Sequence, residues 1–214
     1  MKRKGIQLFT RWALVSFVGL FAVSIHALEF SDIAQEGEIR FLKQRPDEGA
    51  YRYQSRLQIN EASLETGIVT IQTCHYQLDP IRKVVIVFNP DRIRDIQVRS
   101  IDKMAMAEVK DARVTLTDVQ RGASICIDLQ SRALDRVAEN QYRLNAGPLM
   151  RRYFDGYLPM AATMRFDWPA NLLRVVHTQP AQQDGVKVFE GIDGLQLEMI
   201  FAGKLTAQIT LEKK

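Results

Sequence analysis

Residues 195–212 read LQLEMIFAGKLTAQITLE, and apolar residues occupy alternate positions on both sides of a short break. Side chains two residues apart point to the same face of a strand, so each half predicts a strand with one buried face. The break, Ala202-Gly203-Lys204, has the length and the glycine of a hairpin loop. The C-terminal region is therefore predicted to form an antiparallel hairpin.

The same period of two continues towards the N-terminus. In residues 51–59 (YRYQSRLQI), aromatic, small or apolar residues alternate with arginine and glutamine, which predicts a strand with one solvated face. Residues 83–88 (KVVIVF) are apolar on both faces and rich in β-branched residues, which favours a central strand covered on both sides. Further strands are predicted over 67–78, 94–101, 113–119, 123–130 and 141–144.

Helical signals are few. Residues 148–155 begin with proline and are followed by Gly156, an arrangement typical of a short helix, and residues 131–139 favour another short turn. About ten short strands joined by turns predict an all-β fold, either an antiparallel β-sandwich or a partly open barrel, with one or two short helices. Residues 28–214 suit a single β domain of this kind.

Residues 1–27 have the three parts of a secretory signal peptide. Lys2, Arg3, Lys4 and Arg11 form a basic head, residues 12–25 form an apolar stretch, and small residues offer cleavage after Ser24 or Ala27. The apolar stretch is shorter than the roughly 20 residues that span a bilayer, although an uncleaved membrane anchor remains the alternative. The sequence therefore predicts a periplasmic or secreted protein, with membrane contact only through an uncleaved signal segment.

The charge balance argues against nucleic acid as a partner. The chain has 29 Lys and Arg against 25 Asp and Glu, and four of the basic residues lie in the predicted signal. The remainder is electrically balanced, whereas binding to nucleic acid depends on clustered basic side chains.

Cys74 and Cys126 are the two cysteines of the chain. In an oxidising compartment they predict one disulfide, with two unrelated buried thiols as the alternative. Cys126 alternates with Ile125 and Ile127, so the bond is expected on the outer face, between neighbouring strands. His75 is then expected to point the opposite way, towards the core.

No catalytic set is evident. His75 and Asp79 lie four residues apart, roughly 13 Å along a strand, so they cannot form a catalytic pair unless the chain folds back. His177 has no partner recognisable from the sequence. Motifs for metal sites are absent, and no metal, cofactor or catalytic residue is predicted.

Residues 150–168 (MRRYFDGYLPMAATMRFDW) concentrate aromatic and arginine side chains. Such segments form binding surfaces, and they also plug the open end of a sandwich; both roles remain open. The candidates for binding a partner are Arg151, Arg152, Tyr153, Tyr157 and Trp168. The adjacent guanidinium groups of Arg151 and Arg152 suit an anionic or carboxylate partner.

Three functions follow as hypotheses. The first is an exported, non-catalytic β-sandwich module that binds a partner protein or supports the cell envelope. The second is a carrier of an apolar or lipid-like ligand, with apolar strand 84–88 and methionines such as Met150, Met160 and Met164 lining a cavity. The third is an exported hydrolase that uses His75 or His177. The expected partner is thus a protein or an apolar ligand in the cell envelope.

Overall fold

The computed structural model describes residues 34, 36–44, 49–153 and 156–214, with Tyr153 described by its backbone alone. The predicted signal peptide, residues 1–27, lies outside the described residues. Within the described part of the chain, no helix is long and apolar enough to cross a membrane.

The all-β prediction is confirmed, since strands make up 65% of the structure and helix 3%. The described residues contain 17 strands, more than the ten or so expected, and four of them are only two or three residues long. The strands are β1 (Ile39–Phe41), β2 (Arg52–Gln58), β3 (Ile68–Leu78), β4 (Lys83–Val87), β5 (Ile93–Asp102), β6 (Met106–Lys110), β7 (Arg113–Thr117), β8 (Ala123–Arg132), β9 (Leu134–Arg136), β10 (Gln141–Leu149), β11 (Arg152–Tyr153), β12 (Gly156–Tyr157), β13 (Met160–Asp167), β14 (Leu173–Gln179), β15 (Val186–Gly191), β16 (Gly194–Gly203) and β17 (Leu205–Lys213).

A large sheet forms one layer of the sandwich. Its strand order is β1-β16-β13-β2-β3-β8-β5, with β15 also paired to β16. Adjacent strands in this sheet are antiparallel, except for β13 and β2, which run parallel with Met164 opposite Ser55. A second sheet has the order β14-β17-β10-β9, and a third, smaller sheet has the order β4-β7-β6.

The predicted C-terminal hairpin is wrong in its pairing, although both of its strands exist. β16 belongs to the large sheet and β17 to the second sheet, so the chain changes layers at Gly203 instead of folding back on itself. Gly203 has φ +116°, and a Cβ there would lie 2.2 Å from the carbonyl oxygen of Glu38. Glycine is thus required where the chain crosses between sheets, because the backbone at the start of β1 lies close to Gly203.

One hydrophobic core joins the three sheets. Its fully buried side chains include Phe166 and Phe201 from the large sheet, Leu144 and Ile209 from the second, and Leu116 from the third. Alternation in the sequence reports this burial directly: in β2, Leu57 is buried while Arg56 and Gln58 are exposed. At roughly 25 cal/mol per Å² of apolar surface, these inward rows dominate the stability of the fold.

The placement predicted for residues 83–88 is wrong. Residues 83–87 do form strand β4, but β4 is an edge strand of the three-stranded sheet, and among the described strands it pairs with β7 alone. Val84 and Ile86 face the core and are half-buried, whereas Val85 and Val87 are exposed. A run of residues that is apolar and β-branched on both faces is compatible with a central strand and also with an edge strand that borders a cavity.

Both predicted helices are also wrong. Pro148 lies within β10, where Leu149 pairs with Leu205, and Arg152–Tyr153 form β11. Residues 131–139 contain the end of β8 and all of β9, because tertiary pairing overrides weak local helical signals.

The helix that does form, α1 (Glu61–Thr66), begins after Asn60, whose side chain accepts from the backbone N–H of Ser63. It ends at Gly67, with φ 72°.

The predicted disulfide is confirmed. Cys74 and Cys126 lie directly opposite each other on β3 and β8, with their Cα atoms 4.1 Å apart. The bond lies between neighbouring strands on the outer face, as expected, and Arg99 donates to Cys74 Sγ there at 3.5 Å. His75, the next residue, is 5% exposed and lies opposite Ile125.

Candidate functional site

A row of polar side chains crosses the inner face of the large sheet. Tyr53 lies opposite His75 on β2 and β3, and Ser55 lies opposite Thr73 one step further along. The hydroxyl of Tyr51 is hydrogen-bonded to Nδ1 of His75, while the ring of Tyr53 meets the His75 ring edge-on at 5.2 Å between centroids. The pattern of residues 51–59 predicted this shared face but gave no reason to expect a polar cluster on it.

Burial keeps this cluster uncharged at neutral pH. Loss of solvent lowers the pKa of His75 to about 4, and burial raises the pKa values of Tyr51 and Tyr53. Neutral His75 carries one N–H and one lone pair; if the Tyr51 hydroxyl donates to Nδ1, the proton resides on Nε2. Nε2 of His75 and Oγ1 of Thr73 have no hydrogen-bond partner among the described residues.

An ion pair lies on the other side of Tyr51. Arg151 donates from Nη2 to Asp79 Oδ1 at 2.5 Å and from Nε to Asp79 Oδ2 at 3.1 Å, and its Nη1 donates to the carbonyl of Pro159. Its guanidinium carbon lies 5.6 Å from the centre of the Tyr51 ring. A two-point contact of this kind fixes the guanidinium plane. Asp79 is therefore occupied by Arg151, and His75 by Tyr51.

These side chains line a cavity of about 680 Å³. This volume falls within the roughly 300–1,000 Å³ of ligand sites in proteins. The cavity lies between the inner face of the large sheet, strand β4 and the C-terminal part of β10. Its apolar lining includes Leu57, Ile71, Ile86, Phe88, Leu129 and Phe166.

The cavity is graded in polarity along the strands. Tyr51, Tyr53 and His75 line one end of the sheet wall, whereas Leu57 and Ile71 pair with each other four residues away, roughly 13 Å along the sheet. The charged side chains in the lining are mostly basic, with one carboxylate; they are Asp79, Lys83, Arg92, Arg151 and Arg152. Arg92 pairs with Asp135 at 3.4 Å. The site thus combines an apolar interior with a basic rim.

The residues predicted to bind a partner do not form one exposed surface. Trp168 is 4% exposed and Tyr157 is 3% exposed, and the Tyr157 hydroxyl donates to Glu36. These two side chains are packed in the interior, in accordance with the plug alternative. Arg151 and Arg152 both line the cavity, and the side chain of Tyr153 is not described.

The ion pair at the site was not predicted, and the methionines were predicted in part. Asp79 is 72 residues from Arg151, so no local pattern could have paired them. Of the methionines proposed to line a cavity, Met150 and Met164 do so, whereas Met160 is buried elsewhere in the core. Among the described residues, no three His, Cys, Asp or Glu side chains are grouped closely enough to hold a metal ion.

Comparison with known proteins identifies no family for this chain. No protein-family model matches it, and no curated protein is similar to it in sequence. The solved structures that it resembles include the M1 zinc metallopeptidase from Deinococcus radiodurans, with a TM-score of 0.39 and 10% identity over 76% of this chain and 42% of that one.

Structures of a two-domain M1 zinc metallopeptidase give similar values. The complex with L-arginine has a TM-score of 0.41 and 10% identity, over 76% of this chain and 42% of that one. The complex with L-tryptophan has a TM-score of 0.39 and 10% identity, over 84% of this chain and 44% of that one. The chain spans less than half the length of these structures. Such low TM-scores do not establish a shared fold, and the activity of these peptidases is not transferred to this chain.

Proposed function

We propose that the chain is an exported, non-catalytic β-sandwich module of the cell envelope that binds a partner through its cavity. The observation that carries this proposal is the cavity of about 680 Å³, which has an apolar interior and a basic rim. The disulfide supports export, because such bonds persist in oxidising compartments.

The arrangement of the polar groups favours binding over catalysis. His75 is hydrogen-bonded to a tyrosine hydroxyl, and the nearby carboxylate of Asp79 is held by Arg151. A hydrolytic base is normally oriented by a carboxylate and placed next to a nucleophile. His177 lies exposed on β14, away from the cavity lining. The hydrolase hypothesis therefore gains no support from either histidine.

A cavity-filling variant tests the binding proposal. Ser55 lines the cavity and is 9% exposed, so Ser55→Phe places a ring inside it. Gln54→Phe is the matched control, because Gln54 lies next to Ser55 on the opposite, exposed face of β2. The probe is N-phenyl-1-naphthylamine, a neutral apolar dye that fluoresces when it leaves water. The wild-type protein and Gln54→Phe should bind it and Ser55→Phe should not; equal binding to all three proteins contradicts binding through the cavity.

A carrier of an apolar or lipid-like ligand is the second candidate. The side chains of Ile86, Phe88 and Met164 in the lining favour it, because methionine adapts to irregular ligands. Native mass spectrometry of protein recovered from the exported fraction distinguishes the two candidates. A retained adduct of lipid mass supports the carrier, whereas a clean mass with the disulfide formed leaves the partner-binding module ahead.

A further inference from the structure

The cavity contacts strands β2 and β4 in different ways. It contacts Tyr51, which immediately precedes β2, and Tyr53, Ser55 and Leu57 of β2; these alternate residues form one face. Along β4 it touches every residue from 83 to 89. Consecutive contacts show that the cavity runs along the edge of β4, where backbone as well as side chains is within reach.

The hydrogen bonds of β4 leave this edge open. The carbonyl of Arg82 accepts from Asp118, and the N–H of Phe88 donates to Ala112, so residues of even number bond to β7. Backbone groups alternate in direction along an antiparallel strand. The N–H and C=O groups of Val85 and Val87 therefore point away from β7, towards the side on which no described strand pairs with β4.

A second strand edge borders the same cavity. Residues 145–152 line it consecutively. On this side of β10, pairing with β9 ends at Leu144, and the backbone bond from Asn145 to Ala133 is the last one. Among the residues that the structure describes, the remaining part of β10 pairs on its other side alone, with β17. The cavity thus lies between two open strand edges that belong to different sheets.

The composition of β4 is unusual for an open edge. Proteins normally protect such strands with lysine, proline or bulges, because an exposed apolar edge pairs with other chains. β4 has Lys83 only at its beginning, and Val85 and Val87 are 41% and 61% exposed. An unprotected valine-rich edge beside an apolar cavity is the arrangement that strand-adding binding domains use.

We propose that the partner contributes an extended segment that adds to the open edge of β4 as a strand, a proposal that rests on the proposed binding function. Alternate apolar side chains of this segment enter the cavity, and acidic residues at its ends lie against Lys83 and Arg152, because Arg92 and Arg151 already pair with Asp135 and Asp79. Backbone bonds to Val85 and Val87 supply binding that does not depend on the partner's side chains, and the cavity selects which side chains are accepted.

A proline substitution separates backbone pairing from side-chain contact. Proline removes one N–H and is tolerated on edge strands where that group faces outward. Val85→Pro should therefore leave the β4–β7 ladder intact, which circular dichroism and thermal unfolding check. Val85→Ala is the matched control, because it shortens the same side chain and keeps the N–H group.

The probes are a pool of fluorescein-labelled heptapeptides that begin and end with glutamate and alternate valine, isoleucine, leucine or phenylalanine with threonine. The wild-type protein and Val85→Ala should bind the pool alike, and Val85→Pro should bind about tenfold more weakly, the loss expected for one backbone hydrogen bond. The same peptides with lysine at both ends should bind more weakly than those with glutamate. Equal binding to Val85→Pro and Val85→Ala overturns strand addition.

Hydrogen exchange gives a direct readout of the edge. The amides of Val85 and Val87 should exchange rapidly in the free protein and slowly with bound peptide, whereas those of Val84 and Ile86 should be slow in both states. N-phenyl-1-naphthylamine and dodecanoate serve as non-peptide probes. If they bind and the peptides do not, the cavity is a ligand site but strand addition is wrong. If neither class binds, the proposed function itself fails.

Discussion

The hydroxyl of Tyr51 and Nδ1 of His75 are hydrogen-bonded inside the sandwich, between the cavity and the core. His75 lies on β3 and Tyr51 immediately precedes the neighbouring strand β2, and both rings are buried. This contact explains why a histidine beside an outward-facing disulfide is retained in the interior without a carboxylate partner. It also makes the stability of the fold dependent on pH.

We predict that His75 lowers the free energy of unfolding as the pH falls from about 6.5 to about 4. Burial lowers its pKa from 6.5 to about 4, so the unfolded chain takes up a proton at a pH where the folded chain does not. The contribution of neutral His75 to the free energy of unfolding is fully present above pH 6.5. It is lost as the pH falls towards 4, by about 1.4 kcal/mol for each pH unit. Urea unfolding at a series of pH values measures it.

Comparison with His75→Gln isolates this effect from the titration of carboxyl groups. The variant should be less stable at neutral pH because a buried contact is lost, but the difference from wild type should shrink on acidification. His177→Gln, at an exposed position on β14, is the matched control and should change the free energy of unfolding little at neutral pH. A constant difference between wild type and His75→Gln from pH 7 to pH 4 would mean that His75 does not titrate in this way.

Removal of the disulfide should destabilise the fold without closing the cavity. The two cysteines are 52 residues apart, and closing a loop of that length stabilises a protein by about 4 kcal/mol in the chain-entropy model. The variant Cys74→Ser with Cys126→Ser should therefore lower the urea midpoint markedly. Because both side chains point outward, binding of N-phenyl-1-naphthylamine should be unchanged under native conditions. Loss of dye binding while the protein is still folded would show that the bond also shapes the cavity.

Fluorescence should report the interior position of Trp168. The side chain is 4% exposed, and its Nε1 has no partner among the described residues. With Trp12→Phe, Trp168 is the single tryptophan, so its emission should be blue-shifted and poorly quenched by acrylamide. Unfolding in urea should shift the emission to the red and restore quenching. Red-shifted, readily quenched emission from the folded protein would instead place Trp168 on an accessible surface.

Local patterns predicted what depends on neighbouring residues. The alternation in residues 51–59 identified which side chains of β2 face inward, and the positions of Cys74 and Cys126 within their strands identified the side on which they meet. These predictions succeeded because the direction of a side chain in a strand follows from its position along the chain.

Pairing between distant segments was not predictable in the same way. Residues 195–212 form two strands, but nothing local indicates that Gly203 sends them into different sheets. The apolar run of β4 is compatible with a central strand and with an edge beside a cavity. The cavity itself is a space between three sheets, and its Asp79–Arg151 pair joins residues that only the complete topology brings together.

The carboxylate of Asp167 should stabilise the parallel contact between β2 and β13. Arg56 and Arg165 lie opposite each other there, and Asp167 accepts from both, at 2.5 Å and 2.7 Å. Partial burial raises the pKa of Asp167, but the hydrogen bonds and charges of the two arginines outweigh it, so the pKa lies below its usual value. Asp167→Asn should therefore leave two like charges facing each other and lower the free energy of unfolding.

The expected loss is about 1 kcal/mol, the upper end for partly exposed pairs, and it should shrink as salt screens the two arginines. Asp184→Asn is the matched control, because Asp184 pairs with Lys43 where both side chains are more than 70% exposed, so it should change stability little. Urea unfolding at low and high salt measures both variants. A loss in Asp167→Asn that does not respond to salt would indicate that Asp167 acts through packing or local hydrogen bonds, and that repulsion between Arg56 and Arg165 is negligible.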